Sequence, residues 1–371
     1  MTGMLPSRWF LLGLALAPLA CSASRSEGSE PVIDGATPSS ASAPVAAAPP
    51  AAAAPPLTAA PEAEAEPSLL LSAVGDCTIG SEMKVRHSPG SFHVEMETRG
   101  NDYRYPFAGV LDVLSKDDLT IANLETTLST REPASADRYV FRGEPAYAQI
   151  LVEGSVELVN VANNHSHDLG VPGFDETLRT LAAYKIGASG FGHVDRRTVK
   201  GIEVVNLGFT GGDPASVLEG MGRDVRRHKR PDTLVIVSFH WGGEGFTEVN
   251  GDQRRLGRAA VDAGADLVLG HHPHVLQGIE DYRGKQIVYS LGNFVFGGHS
   301  NPDDKDSIIY QATFAKRDGQ VVPTGSRALP VRISSVTSRN DFQPVLLDGE
   351  EKARVLGRLR EYSEALAKGA R

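Results

Sequence analysis

Three histidines stand within four positions in "GHHPH", directly after the apolar run "DLVLG" at 266–270. Imidazole is a common transition-metal ligand, and a His-x-His spacing such as His272 and His274, held by irregular backbone, can share one metal face. The same juxtaposition recurs along the chain. Asp76 follows "LLLSAVG", Glu125 ends "LTIANLE", Asn164 and His165 follow "VELVNVAN", and His240 ends "TLVIVSFH". Each has an ordinary explanation when taken alone: a helix cap, turn chemistry, or a satisfied strand-end side chain. Their number is what counts. Six of the 11 histidines fall in three such clusters, while His87, His93, His193, His228 and His299 are scattered.

The elements that must position these residues are short apolar runs alternating with helical patterns, the signature of a layered α/β domain. Strands are predicted at 69–74, 119–125, 156–162, 233–239, 266–270 and 286–291, with "GNFVF" following the last. Helices are predicted over 172–185, where Pro172 stands near the start, and around 252–263. "SIIYQATFAKRDGQVV" predicts a hairpin, "ALPVRISSV" completes a sheet, and a charged outer helix begins at Gly349. In layered α/β proteins the ends of parallel strands converge on one edge, where ligands bind. Asp76, Glu125, Asn164, His165, His240, His272, His274 and Asn293 all lie just past such ends.

Ahead of this domain the composition changes. Residues 1–21 carry Arg8, a short apolar run and then Cys21 after "LA", which resembles an export signal ending in a lipoprotein lipobox. Cys21 is therefore the expected lipidation site. Residues 22–67 are dominated by Ala, Pro, Ser and Glu, which cannot bury enough apolar surface to fold and favour an extended tether. The folded domain is expected over 68–371. An exported protein, held at the cell membrane or outer envelope by a lipid anchor, fits these features. The net charge of −9, from 37 basic and 46 acidic residues, argues against a general nucleic-acid partner.

Read in order, "GDCTIG", "NLETTL", "FRGEP", "VANNHSHDLG", "SFHWG", "GADLVLGHHPHVLQGIE" and "VYSLGNFVF" resemble the bacterial capsule synthesis protein CapA family. That family is associated with poly-γ-glutamate and is similar to the calcineurin-like metallophosphoesterases. The resemblance runs from about Leu69 to about Gln311. It implies a four-layer α/β/β/α sandwich with a metal site at the strand ends. It also implies roles: Asp76, Glu125, Asn164, His240, His272 and His274 as ligands, Glu125 in the place of a bridging acid, and His165 as general acid. Carboxylate, amide and imidazole donors suit one or two divalent ions such as Mn²⁺, Fe or Zn²⁺. Phosphoesterases usually carry a histidine two residues after the first aspartate, where this chain has Thr78. Cys77 is expected as core filler and His167 as an accessory or exposed group. Arg142 is a candidate for gripping a substrate carboxylate, with an ordinary ion pair as the alternative. The expected function is a surface-anchored, metal-dependent hydrolase or transferase acting on γ-glutamyl bonds of an anionic polymer or peptide, within a capsule-synthesis complex. A metallophosphoesterase and a non-catalytic accessory protein are the alternatives.

Overall fold

Along the strand Ser68–Thr78, Leu69, Leu71 and Ala73 enter one apolar core, while Val74 and Cys77 enter another. This alternation of period two recurs in Leu119–Leu124, where Leu119 and Ile121 oppose Ala122 and Leu124. It recurs again in Thr233–His240, where Leu234 and Ile236 oppose Val235 and Val237. Strands apolar on both faces must be covered on both faces, and two sheets result. These coordinates are a computed structural model that describes residues 67–133 and 139–368; Cys21, the signal and most of the tether lie outside them.

Among the described residues the first sheet has eight strands. Its order is Val345–Leu346, Gln320–Arg332, Asp306–Arg317, Ser68–Thr78, Leu119–Leu124, Leu158–Asn160 and Gly187–Ser189, with Asn293–Phe296 also paired to Ser68–Thr78. The second has six, in the order Ile279–Tyr282, Lys285–Val288, Leu267–His271, Thr233–His240, Ile202–Thr210 and Val194–Val199. A small sheet joins Ser81–Glu82, Phe141–Gly143 and Thr127–Leu128. The central pairings of both large sheets are parallel, so their strand ends share an edge.

Three cores separate four layers. Between the sheets lie Leu69, Leu71, Ile121, Leu158, Ile202, Leu234, Ile236 and Leu269. Helices Phe92–Thr98, Ala148–Glu153 and Gly170–Ala183 cover the first sheet through Phe92, Ile150, Phe174 and Leu181. Helices Pro214–His228 and Gly251–Ala263 cover the second through Met221, Val225, Leu256 and Ala260. The α/β/β/α sandwich is thus present. Each fully buried aliphatic side chain in these cores contributes roughly 1.5–3 kcal/mol, so truncating Ile236 would cost about 2–5 kcal/mol.

Local chemistry sets the helix ends. Asn250 and Gln253 form a reciprocal capping box, and Gly264, at φ +117°, ends the same helix. Asp213 caps the helix that opens with Pro214, and Arg226, Arg227 and His228 occupy its last turn. That helix and the strands Val194–Val199 and Ile202–Thr210 are absent from the expectations above, although Asp-Pro at 213–214 is a start signal. No helix among the described residues is long and apolar enough to cross a membrane.

The C-terminal helix Gly349–Lys368 is more than an outer layer. Its Val355 and Leu359 belong to the core between the sheets. Its Arg354 donates two hydrogen bonds to Asp306, at 2.6 and 2.7 Å, and Arg358 adds a third contact. Burial alone would raise the Asp306 pKa, but the two guanidinium groups outweigh it and hold the carboxyl below its usual range. A depressed pKa stabilises the fold above the unfolded value of about 3.9 and ceases to do so as pH falls through the folded value. Asp306→Asn is expected to cost about 1–3 kcal/mol at neutral pH and to flatten the acid limb of the stability curve. Chemical denaturation across pH checks both, and a variant as stable as the parent at neutral pH contradicts this account.

Candidate metal centre

The site is assembled at the shared edge where the inter-sheet faces end. Ile236, Ser238 and His240 share one face of their strand, so the alternation that buries Ile236 between the sheets delivers His240 to that edge. Asp76 arrives past a register shift in its own strand, beside Asn293. Gly75 makes this approach possible, because a Cβ there would lie 2.1 Å from the Gly292 carbonyl oxygen. Gly292 itself, at φ +72°, turns the chain out of the second sheet and into the first. The strand expected over 286–291 accordingly ends early, as Lys285–Val288, and "GNFVF" beyond it forms a separate strand, Asn293–Phe296.

Asp76 is fully buried and held from several sides. Asn123 Nδ2 donates to its Oδ1 at 2.8 Å, and the His272 backbone N–H donates to its Oδ2 at 3.1 Å. His274 Nδ1 stands 3.2 Å from Oδ2, and His271 Nδ1 3.4 Å from Oδ1. Asn160 Nδ2 in turn donates to Asn123 Oδ1 at 2.8 Å, extending the chain of amides across neighbouring strands. Such supporting hydrogen bonds fix the orientation of a ligand before any ion binds.

Glu125 carries the sharper signal. It is 1% exposed, and neither carboxylate oxygen accepts a hydrogen bond. Instead Oε1 faces His240 Nε2 at 3.3 Å and His274 Nε2 at 3.7 Å. Donor atoms of Asp76, Glu125 and His274 lie within 4.8 Å of one another, and so do those of Glu125, His240 and His272. Glu125 belongs to both groups. Asn164 Oδ1 joins the second group, 2.7 Å from His240 Nε2. His272 and His274 thus enter different groups with Glu125, and a third group joins the two of them to Glu244, in keeping with the shared face that their spacing suggests. Both hold left-handed backbone, at φ +94° and +58°, a conformation that tends to be retained where a site requires it.

The electrostatics call for a cation. No arginine or lysine pairs with Asp76 or Glu125 among the described residues, and only imidazoles face them. Burial disfavours a charge on His274, but Glu125 and Asp76 outweigh it and lift its pKa to about 10. Asp76, despite its burial, is held well below the usual carboxylate range by His271 and His274. Burial and the neighbouring His240 push His272 down to about 4, leaving a neutral imidazole suited to ligation. A buried, hydrogen-bond-free carboxylate amid imidazoles fits divalent ions, and Glu125 would be the ligand common to two groups.

A cavity of about 400 Å³ opens onto the centre, lined by Glu125, Asn164, His165, Glu244 and His274 among others. His165 Nδ1 lies 2.9 Å from Asp168 Oδ2, and its ring packs edge-on against Phe141 at 4.5 Å. Burial lowers its pKa, but the bond to Asp168 and the charge of Glu125 more than restore it, giving a net rise. Arg142 lies elsewhere. Phe141 turns toward His165, and on a strand the next side chain faces away. The Arg142 guanidinium is buried on Glu132 Oε1 at 2.6 Å and on the Arg131 carbonyl at 2.9 Å, and it does not line the cavity. Cys77 is fully buried, with burial pushing its thiol up to about 12. Thr78 Oγ1 lines the cavity floor, buried and without a partner. His167 stacks on Phe174 at 4.4 Å.

Glu244 is a site residue absent from the expectations above, and Asn293, expected just past a strand end, joins it. Glu244 has a donor atom within 4.8 Å of those of His272 and His274, four residues past the strand end at His240. Only a carboxylate in a glycine-rich loop, "WGGEG", marked it. Asn293 Oδ1 lies 2.9 Å from His274 Nδ1 and orients that ring.

The model of the bacterial capsule synthesis protein PGA_cap family matches residues 70–298, and the chain belongs to this family. The PGA biosynthesis protein CapA of Bacillus subtilis is 31% identical over 62% of this chain and 63% of its own length. The capsule biosynthesis protein CapA of Bacillus anthracis is 29% identical over 66% of this chain and 63% of its own. A probable polyglutamine synthesis accessory protein of Mycobacterium tuberculosis is 30% identical over 63% of this chain and 71% of its own. The chain thus spans less than two thirds of the two Bacillus relatives. Among solved structures, the calcineurin-like phosphoesterase YfkN of Bacillus subtilis overlaps 80% of this chain and 97% of its own, at 12% identity and a TM-score of 0.43.

Shared membership of Glu125 makes a graded expectation. The parent chain should bind two ions. Asp76→Asn should reduce this to one and leave the His240–His272 position filled, whereas Glu125→Ala should empty both. Elemental analysis of the purified, folded variants gives the stoichiometry; equal metal content in parent and Glu125→Ala rules the bridge out.

Proposed function

We propose that this chain is a metal-dependent hydrolase or transferase of capsule and poly-γ-glutamate synthesis, acting on γ-glutamyl amide bonds outside the cytoplasmic membrane. The observation that carries the reading is the buried, hydrogen-bond-free Glu125 common to two donor groups at the floor of an open cavity. The names of the relatives supply the polymer. Glu244 stands in the cavity with no ion pair, a carboxylate beside the donor groups.

Divalent ions held there supply Lewis-acid polarisation of the carbonyl and an acidified water. The remaining steps fall to the chain. Glu244, free of partners, accepts the proton of the attacking water or acceptor amine. As the carbon–nitrogen bond breaks, His165 delivers a proton to the departing amine. Asp168 accepts from His165 Nδ1–H and so favours the imidazolium, whose second proton, on Nε2, is the one transferred. Phe141 restricts the ring to that orientation. Thr78, in place of an imidazole, leaves the Asp76 group with few donors, the feature that favours a non-catalytic accessory role instead.

Turnover of γ-glutamyl peptides against phosphodiesters separates these readings. His165→Ala should retain both metal and substrate affinity while losing roughly 10²–10⁴-fold in turnover, the usual contribution of a positioned acid or base. An accessory protein has no turnover to lose, and a folded His165→Ala chain without metal would make His165 a ligand.

Anchoring at the envelope is part of the same proposal, through acylation of Cys21. Cys21→Ser should leave the protein unacylated, as uncleaved precursor or in the soluble fraction. Absence of fatty-acid label on the parent protein in growing cells removes the anchor.

A further inference from the structure

We infer that a second cavity beside the metal centre is a subsite for the next unit of an extended carboxylate-bearing substrate, with Lys84 and Tyr139 as its recognition pair. The cavity holds about 350 Å³ and is lined by Ser81, Glu82, Ser88 and Ser91 on one side and by Gly297 to Ser300 on the other. It shares Tyr139, Gly298 and His299 with the cavity over the metal centre. The two are therefore parts of one cleft, each within the size range of small-ligand sites. A single short substrate has no use for the second part. A polymer does.

The residues there carry unfinished polar business. Glu82 is 7% exposed, and its Oε2 accepts the Lys84 backbone N–H, but its Oε1 is buried without any partner. Thr78 Oγ1 is unpartnered in the same way at the other end of the cleft. Buried polar groups are rarely left so, and such atoms match the N–H and C=O of an amide-linked chain laid along the cleft. Tyr139 is 74% exposed, an unusual cost for a large aromatic ring that lies on the lip common to both cavities. The Lys84 ammonium stands 5.6 Å above that ring and has no carboxylate partner among the described residues. Lys84 lines neither cavity and meets the cleft through Tyr139, whose ring holds the cation beside the shared mouth, where a carboxylate of a longer chain can reach it. The segment is fixed rather than pendant, since Met83 N–H donates to the Val140 carbonyl at 2.9 Å and Ser81 pairs with Arg142 in the small sheet.

This subsite rests on the amide-polymer reading above, yet it is a claim about binding and is tested by binding. The metal-loaded full-length protein is titrated with γ-linked glutamate dimer and hexamer by calorimetry. The parent should bind the hexamer about tenfold more tightly than the dimer, the size expected of one carboxylate contact with aromatic support in a partly dry cleft. Lys84→Ala and Tyr139→Ala, both at exposed positions, should each bring that ratio to near unity with metal content unchanged. A hexamer with amidated side chains should lose the preference in the parent as well. Equal binding of dimer and hexamer by the parent, or a ratio preserved in both variants, overturns the subsite. A length preference that depends on Lys84 and Tyr139 in a protein that cleaves no γ-glutamyl bond upholds the subsite and removes the hydrolytic reading.

Discussion

Burying negative charge without a fixed positive partner is the constraint on which the rest depends. Asp76 and Glu125 are taken fully out of water at the edge between two sheets, with only imidazoles opposite them. Stability alone would favour an arginine, or an apolar pair, at such a position. The surrounding structure instead directs both side chains, and His271 and His274 hold the Asp76 carboxyl well below its usual range. Asn123 and Asn160 orient Asp76, the His272 backbone N–H binds its second oxygen, and Glu125 is left open to whatever cation arrives. The sandwich can carry this cost because three separate apolar cores supply its stability.

The same constraint accounts for the irregular backbone nearby. His272 and His274 are held left-handed, and Gly75 and Gly292 bring two strands closer than side chains would allow. Each feature costs stability locally, and each brings a donor atom nearer to Glu125. The two imidazoles also meet opposite electrostatics: Glu125 and Asp76 lift the His274 pKa, while burial and the neighbouring His240 lower that of His272.

Function of the wider surface follows from what surrounds this centre. The cavity is acidic at Glu244 and aromatic at Phe141 and Phe296, and it continues along Tyr139 into a second hollow. On the function proposed above, an extended chain with amide links would lie along these two hollows.

How much of this was legible in the sequence depended on the range of the interaction involved. Apolar runs marked many of the strands, because burial on both faces leaves an apolar side chain at nearly every position, as in "TLVIVSFH", although Ile202–Thr210 escaped notice. The donors Asp76, Glu125, Asn164, His240, His272 and His274 were visible because strand ends gather at one edge. Helix Pro214–His228 was overlooked although Asp-Pro announces its start; its polar composition hides the narrow apolar stripe of Met221 and Val225. Arg142 looked available in sequence, but strand alternation turns it into a buried ion pair away from the cavity. Only the tertiary structure could bring Glu125 to both His272 and His274. Only it could place Glu244 and Tyr139 at one opening, or join Asn293 to Asp76 by a chain crossing between sheets at Gly292. Residue types and their periodicity are local properties that a linear chain displays. Which atoms converge within a few ångströms is decided by register, backbone handedness and close approach, and those exist only once the sheets have packed.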